Sequence, residues 1–275
     1  MATKKRIALV PLPPLAAAWE VTRLELTRVV RGKALRAAVV IAGLLVVAAT
    51  ISCLAGARDS LATFAGSVRS LFPWLAIALS MLFAARVISD DVDAGVIHYW
   101  FMLPSPRWAV TVGKYLCSAA VVTGVLVGST VLLYLGTHIA EPGLVGSHAG
   151  DLGRAVLAML GAGLSYTAVF LFLGAAVADL PYLLPLIHVA VLEVGAGSSP
   201  VLEIASIRHH VGVVLGTPAQ VAADETVDTV LETLGLVTPE VPLWASLLVM
   251  AIVFASGLAL GVIVTEFSEY RTGKP

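Results

Sequence analysis

The sequence predicts an all-α integral membrane protein, and three observations lead there. Hydrophobic residues make up 59% of the 275 and charged residues only 13%, so a soluble domain would carry far more apolar surface than one core can hide. The mean hydropathy is +0.95. The apolar residues are gathered into long runs, close to the about 20 residues that cross a hydrocarbon core roughly 30 Å thick. Net charge is -1, with 17 Lys and Arg against 18 Asp and Glu, so the basic footprint of a nucleic-acid binder is missing and no nucleic-acid partner is expected.

Six runs qualify as spans: about 35–56, 72–88, 112–136, 152–178, 182–196 and 241–264, the fifth short and ended by glycines. An even number puts both termini on one side. Cytoplasmic flanks retain Lys and Arg, and with both ends cytoplasmic the outer segments hold only Arg58, Arg69, Arg154 and Arg208 of the 17. The expected location is therefore the cell's inner (plasma) membrane, multi-pass, with cytoplasmic termini. Lys4, Lys5 and Arg6 precede a proline-broken stretch rather than an apolar run, so no cleaved targeting peptide is expected. Cys53 and Cys117 fall inside apolar runs, match no metal or redox spacing, and read as small buried side chains.

Ahead of the first span, residues 15–34 read as a helix with Trp19, Leu26, Val29 and Val30 near one side and Glu20, Arg23 and Arg31 on the other. That pattern suits an elbow helix lying among lipid headgroups; a plain basic flank that sets topology accounts for it equally. Residues 197–240 form the long outer loop. Its first part, 200–216, is apolar enough to dip into the membrane, which irregular backbone does only under cover of protein. Its second part, 219–236, reads as an amphipathic helix with Asp224, Asp228 and Glu232 opposite Val227, Val230, Leu231 and Leu234. That acidic face suits solvent first, and an ion or an extracytoplasmic partner second. No repeat of 20 to 50 residues is present, and 1–275 reads as one membrane domain.

Between spans two and three, residues 89–108 combine three carboxylates, several aromatic rings and two prolines. As a helix, the segment places Asp90, Asp91 and Asp93 in the first turn, where carboxylates cap free N–H groups and oppose the macrodipole. Leu103-Pro104 ends it, because proline lacks an amide hydrogen and disfavours a helical residue before it. Val92, Val96 and Tyr99 or Trp100 line one side, an apolar surface suited to a groove on another protein. An interfacial aromatic belt that anchors span two explains the same residues.

Asp91-Val-Asp-Ala-Gly95, Pro104-Ser-Pro-Arg107 and Gly113-Lys114-Tyr115 resemble the acidic-Gly, Pro-x-x-Arg, Gly-Lys pattern between the second and third spans of ABC-2 type transporter permeases. The layout of elbow helix, six spans and membrane-dipping segment is similar too. The resemblance implies that 89–108 is a coupling segment docking on an ABC ATP-binding subunit, two copies of which serve a pair of permease subunits, identical or paralogous. Asp90, Asp91, Asp93 and Gly95 would shape the docking helix, Tyr99, Trp100 and Phe101 would fill the partner's groove, and Pro104, Arg107 and Lys114 would fix the loop at the membrane. ATP and Mg would be bound by the partner. The chain itself has no G-x-x-x-x-G-K-[ST], since Gly113-Lys114 is followed by Tyr115, and it is not expected to be an enzyme on its own.

Other classes leave traces. Gly163-Leu-Ser165-Tyr166 looks like the G-x-S-x of rhomboid intramembrane proteases, but 241–264 has no histidine, and His188 is the nearest substitute. Metal or haem ligation by His188, His209 or His210 lacks histidines on facing spans at matching depth. No metal site is expected. A non-transporting subunit through which an ATPase works on an outer partner at 200–240 is the main alternative function. Within the fifth span, His188 and Glu193 are the only ionisable groups and are candidates for a transport pathway, unless Glu193 sits in water at the outer interface. Gly124-x-x-x-Gly128 and Gly257-x-x-x-Gly261 allow close helix contact, in a dimer or within one subunit.

Overall fold

The computed structural model describes residues 13–56, 59–102, 105–195, 200–216 and 241–268. All regular structure among them is helical: α1 Pro14–Arg31, α2 Lys33–Leu54, α3 Ser60–Ser70, α4 Phe72–Phe83, α5 Ser89–Asp93, α6 Ile97–Met102, α7 Arg107–Thr137, α8 Ala149–Ala176, α9 Leu183–His188, α10 Pro200–Ala205, α11 Ile207–Val214 and α12 Leu243–Phe267. Five units are long and apolar enough to cross a membrane: α2, the pair α3–α4 over Ser60–Phe83, α7, α8 and α12. The expected all-α membrane protein is what the chain forms.

Two boundaries differ from the sequence expectation. The second apolar unit begins at Ser60 rather than near residue 72, and 84–88 are turn rather than helix. Thr63, Ser67, Arg69 and Ser70 dilute the hydropathy of this stretch, yet the Asp59 side chain caps it by accepting from the Ala62 N–H. Pro73, without an N–H, marks the joint between α3 and α4. The expected fifth span, 182–196, has α9 followed by a π-helix over Val189–Val194, a unit of 12 residues. At about 1.5 Å per residue such a unit is about 18 Å long, short of a full crossing.

Helix ends define the geometry. Thr111 on α7 shares a 2.6 Å hydrogen bond with Thr265 on α12, and Arg107 donates to the Glu266 carbonyl. The start of α7 and the end of α12 therefore share one end of the bundle, here called proximal. The end of α8 is there as well: Ala175 packs with Ile88, Ile97 and Val264. At the opposite, distal end Cys53 donates to the Thr137 carbonyl, Ser60 to Glu141, and Tyr134 to the Val145 carbonyl. The chain between the end of α8 and the start of α12 thus passes from the proximal to the distal end.

Without water to drive apolar association, such helices gain from close packing and small residues. An added Cβ at Gly174 would collide with the Ala85 carbonyl oxygen, so this contact admits hydrogen alone. Gly257 and Gly261 close the α12–α8 contact inside the subunit, with Ala168, Val169 and Leu171 as neighbours. Gly124 and Gly128 are exposed and face open space. Replacing Gly174 with Leu is expected to destabilise the fold by about 1–3 kcal/mol or more. Replacing Gly124 with Leu should leave thermal unfolding in detergent nearly unchanged, and equal melting of the two variants would contradict this packing.

Candidate functional site: a buried charge cluster beneath the 89–108 segment

The segment after span two folds as two short helices rather than one. A turn at Ala94–Val96 divides α5 from α6, and Gly95 adopts φ 67°, a left-handed conformation that favours glycine. Neither Asp90 nor Asp91 caps α5. The expected N-terminal caps give way to ion pairs, because stronger partners lie within reach. Asp90 meets Arg86 at 2.8 Å and holds that guanidinium more firmly protonated than usual. Arg86 in turn lies over the Tyr182 ring at 5.8 Å, tying the segment to the chain just before α9.

Asp91 turns inward. Its Oδ2 lies 2.7 Å from Lys114 Nζ, an ion pair at contact distance whose angle falls outside hydrogen-bond geometry. Lys114 is fully buried in the first third of α7 and also donates to Glu25 Oε1 at 2.6 Å and to the Val87 carbonyl at 3.1 Å. An ammonium has three protons, and these three oxygens surround it. Arg28 approaches from the surface, 3.4 Å from Asp91 and 3.8 Å from Glu25, so two carboxylates meet two cations. The Trp100 ring covers Lys114 at 5.8 Å from its centroid, within cation–π range.

Three elements meet here: Glu25 comes from α1, Asp91 from α5 and Lys114 from α7. Their approach depends on Gly113, where a Cβ would stand 2.6 Å from the Ala18 carbonyl and 2.7 Å from Val21. The buried face of α1 is accordingly Ala17, Ala18, Val21, Thr22 and Glu25. Trp19, Leu26 and Val30 stay exposed, while Val29 packs partly on the core. Over the cluster opens a groove of about 420 Å³ lined by Leu24, Glu25, Arg28, Asp91, Val96, Tyr99 and Trp100.

The expected site residues divide into an anchor and an outer face. Asp91, Lys114 and Trp100 form the anchor. Tyr99 is 72% and Met102 80% exposed, and Asp93 faces outward too. Arg107 is exposed and donates to the Glu266 carbonyl at the end of α12. The Phe101 side chain, Pro104 and the 219–236 segment lie outside the described residues. Glu25, Arg28 and Met102 were missed as site residues. Glu25 could have been found as the one acid at the i, i+4, i+8 spacing of Ala17, Val21 and Glu25 on the small-residue side of α1.

A second polar network lies among α8, α9, α11 and α12. Glu193 is fully buried, not in water at an interface, and its carboxylate accepts from Ser206 Oγ at 2.6 Å and from the N–H groups of Ile207 and Arg208. It caps α11 from outside that helix's own sequence. His188 packs edge-on against Phe170, its Nε2 buried without a hydrogen-bond partner among the described residues. His209 pairs with Glu203, and His210 bonds to Ser246 and to the Ile204 carbonyl. Ser165 donates to the Met250 carbonyl, a helix-packing use of the hydroxyl. Among the described residues no group of three or more His, Cys, Asp or Glu is placed to hold a metal. No family model matches the sequence, and a search of curated proteins finds no significant match.

Removing one member of the proximal cluster leaves buried charge uncompensated. Lys114→Met is expected to cost about 3–5 kcal/mol. Adding Glu25→Gln and Asp91→Asn to it should recover much of that loss in thermal unfolding. A triple variant no more stable than Lys114→Met would contradict the electrostatic account.

Proposed function

We propose that the chain is the membrane-spanning permease subunit of an ABC-2 type ABC transporter, an exporter powered by a separate ATP-binding subunit that docks on residues 89–108. The observation that carries this reading is the construction of α5 and α6. They are locked to α1 and α7 through Lys114 and buried charge on one side, yet present Tyr99 and Met102 outward on the other. A docking element that transmits force needs both properties, since a loosely held one would move without moving the spans. The acidic-Gly and Gly-Lys motifs supply residues of this anchor: Asp91 and Lys114 as ion-pair partners, Gly95 as the turn, Gly113 as the close contact.

On this reading the proximal end is cytoplasmic. Among the described residues it holds Arg23, Arg28, Arg31, Lys33, Arg36, Arg86, Arg107 and Lys114, against Arg69, Arg154 and Arg208 elsewhere. The passage of the chain from the end of α8 to the start of α12 then supplies the sixth crossing. The short α9 unit is continued by α10 and α11, whose apolar face, Ile207, Val211 and Val214, is buried in the core. Exposed Trp19, Leu26 and Val30 suit an α1 in contact with lipid. Two such subunits with two ATPases form the working unit, with ATP and Mg held by the ATPases. The open Gly124–Gly128 face of α7 is available to the second permease copy. ATP-driven closure of the ATPases pulls on α5–α6, and α1 and α7 follow as one body. His188, with its unpartnered buried nitrogen, is the better pathway candidate, because the Glu193 carboxylate is already occupied by its cap.

The test is gentle solubilisation of the tagged protein from its own host's membranes, followed by mass spectrometry of what copurifies. A Walker-motif ATPase is expected with the wild type. Tyr99→Asp combined with Met102→Asp should abolish its capture while leaving the melting temperature of the permease unchanged, because both side chains are exposed. Gly95→Trp, which strains the turn, should lose it as well. Wild-type protein that brings no ATPase would overturn the proposal.

A further inference from the structure

Outside both networks, the distal end carries a pair of imidazoles on the connection between α7 and α8. His138 follows the last turn of α7 and is 1% exposed. Its Nδ1 lies 2.9 Å from the Tyr134 carbonyl oxygen and 3.3 Å from Thr137 Oγ1. A carbonyl can only accept, so Nδ1 carries the hydrogen, and the lone pair resides on Nε2. That lone pair points at His148 Nδ1, 3.2 Å away, on a partly exposed ring that precedes α8. The two rings are 5.5 Å apart at their centroids and inclined by 65°, and the Tyr134 ring backs His138 at 4.4 Å.

We propose that His138 and His148 form a binding site for a divalent transition-metal ion of the copper, nickel or zinc type. Two features carry this. The first is the distance: two nitrogens each about 2.0–2.1 Å from a tetrahedral ion stand about 3.3–3.4 Å apart, so the 3.2 Å separation is already close and the rings need only turn to aim both lone pairs at one point beside the line that joins them. The second is the tautomer. A histidine whose Nδ1–H is held by a backbone carbonyl is oriented as metal-ligating histidines are, with Nε2 aimed at the ion. His148 supplies the second nitrogen through a change of tautomer: its Nδ1 gives the shared hydrogen to solvent while its Nε2 takes one up, so the ring stays neutral. It is partly exposed, which provides an approach for the ion and for the water that completes its coordination. Because no third protein ligand is placed there among the described residues, the site is an exchangeable one, unlike a closed structural zinc site. The ion would bridge the end of α7 to the start of α8. The site is independent of whether an ATPase docks at the proximal end.

The experiment uses the full chain, purified without a histidine tag and titrated with cupric ion alone under electron paramagnetic resonance. One equivalent of copper with the nitrogen splitting of two imidazoles is expected. His148→Ala, a change at a partly exposed position, should reduce it to one nitrogen or to aqueous copper, whereas His209→Ala should leave it unchanged. Zinc should raise the melting temperature of the wild type by a few degrees and that of His148→Ala by none. A two-imidazole signal that survives His148→Ala, or disappears in His209→Ala, overturns the proposal, as does its absence from the wild type.

Discussion

An ammonium group removed from water at a membrane boundary constrains everything around it. Lys114 lies at full burial on a helix whose other charged residue, Arg107, is exposed at its first position, and burying an unpaired charge costs far more than a helix contact returns. The fold answers with Glu25, Asp91 and the Val87 carbonyl, drawn from three separate parts of the chain. Each partner dictates a placement. Glu25 requires α1 to lie along the first third of α7, which Gly113 permits, and Asp91 requires α5 to turn that one carboxylate inward, ahead of the turn at Gly95. The proximal end is rigid because no one of these elements can shift without exposing an unpaired charge.

The distal half solves a related problem differently. Glu193 is buried with neither Lys nor Arg as ion-pair partner among the described residues, and is satisfied by the backbone N–H groups that begin α11 and by Ser206. A helix start and a carboxylate need each other in a low-dielectric interior, so the pair anchors a short helix that would be marginal alone. Arg208 then reaches the Trp74 ring at 5.2 Å, placing a cation beside an aromatic face instead of in hydrocarbon. The π-helical turn over Val189–Val194 contains Glu193, and such turns re-aim side chains relative to a regular helix. Charge here organises the irregular backbone that the membrane would otherwise forbid.

How far the site was legible in the sequence follows from the range of the signals. Asp91, Gly95, Trp100 and Lys114 were marked by motif and by residue type, and all lie at the cluster or the turn above it. Glu25 and Arg28 were hidden because a mixed basic flank looks the same whether its second acid faces solvent, as Glu20 does, or an ammonium 89 residues away. The split of the 89–108 segment into α5 and α6 was written in Gly95, but a glycine in a helical pattern does not state whether the backbone uses its freedom. The start of the second apolar unit at Ser60 escaped because hydropathy averages over polar residues whose hydroxyls return to their own helix, as Thr63 and Ser70 do to Asp59 and Gly66.

By itself the sequence determined the class of molecule and the positions of four of its long helices, α2, α7, α8 and α12: apolar runs must be buried in lipid or protein, and a backbone in lipid must satisfy its own hydrogen bonds, so such runs become helices wherever they fall. Tertiary structure alone decided which helices touch and which polar groups meet. Gly257 and Gly261 close on α8 while Gly124 and Gly128 stay open, although the two motifs read alike. Helix formation depends on neighbours within a turn, whereas the pairing of Lys114 with Glu25 or of His138 with His148 depends on where distant segments come to rest, which short-range periodicity does not encode.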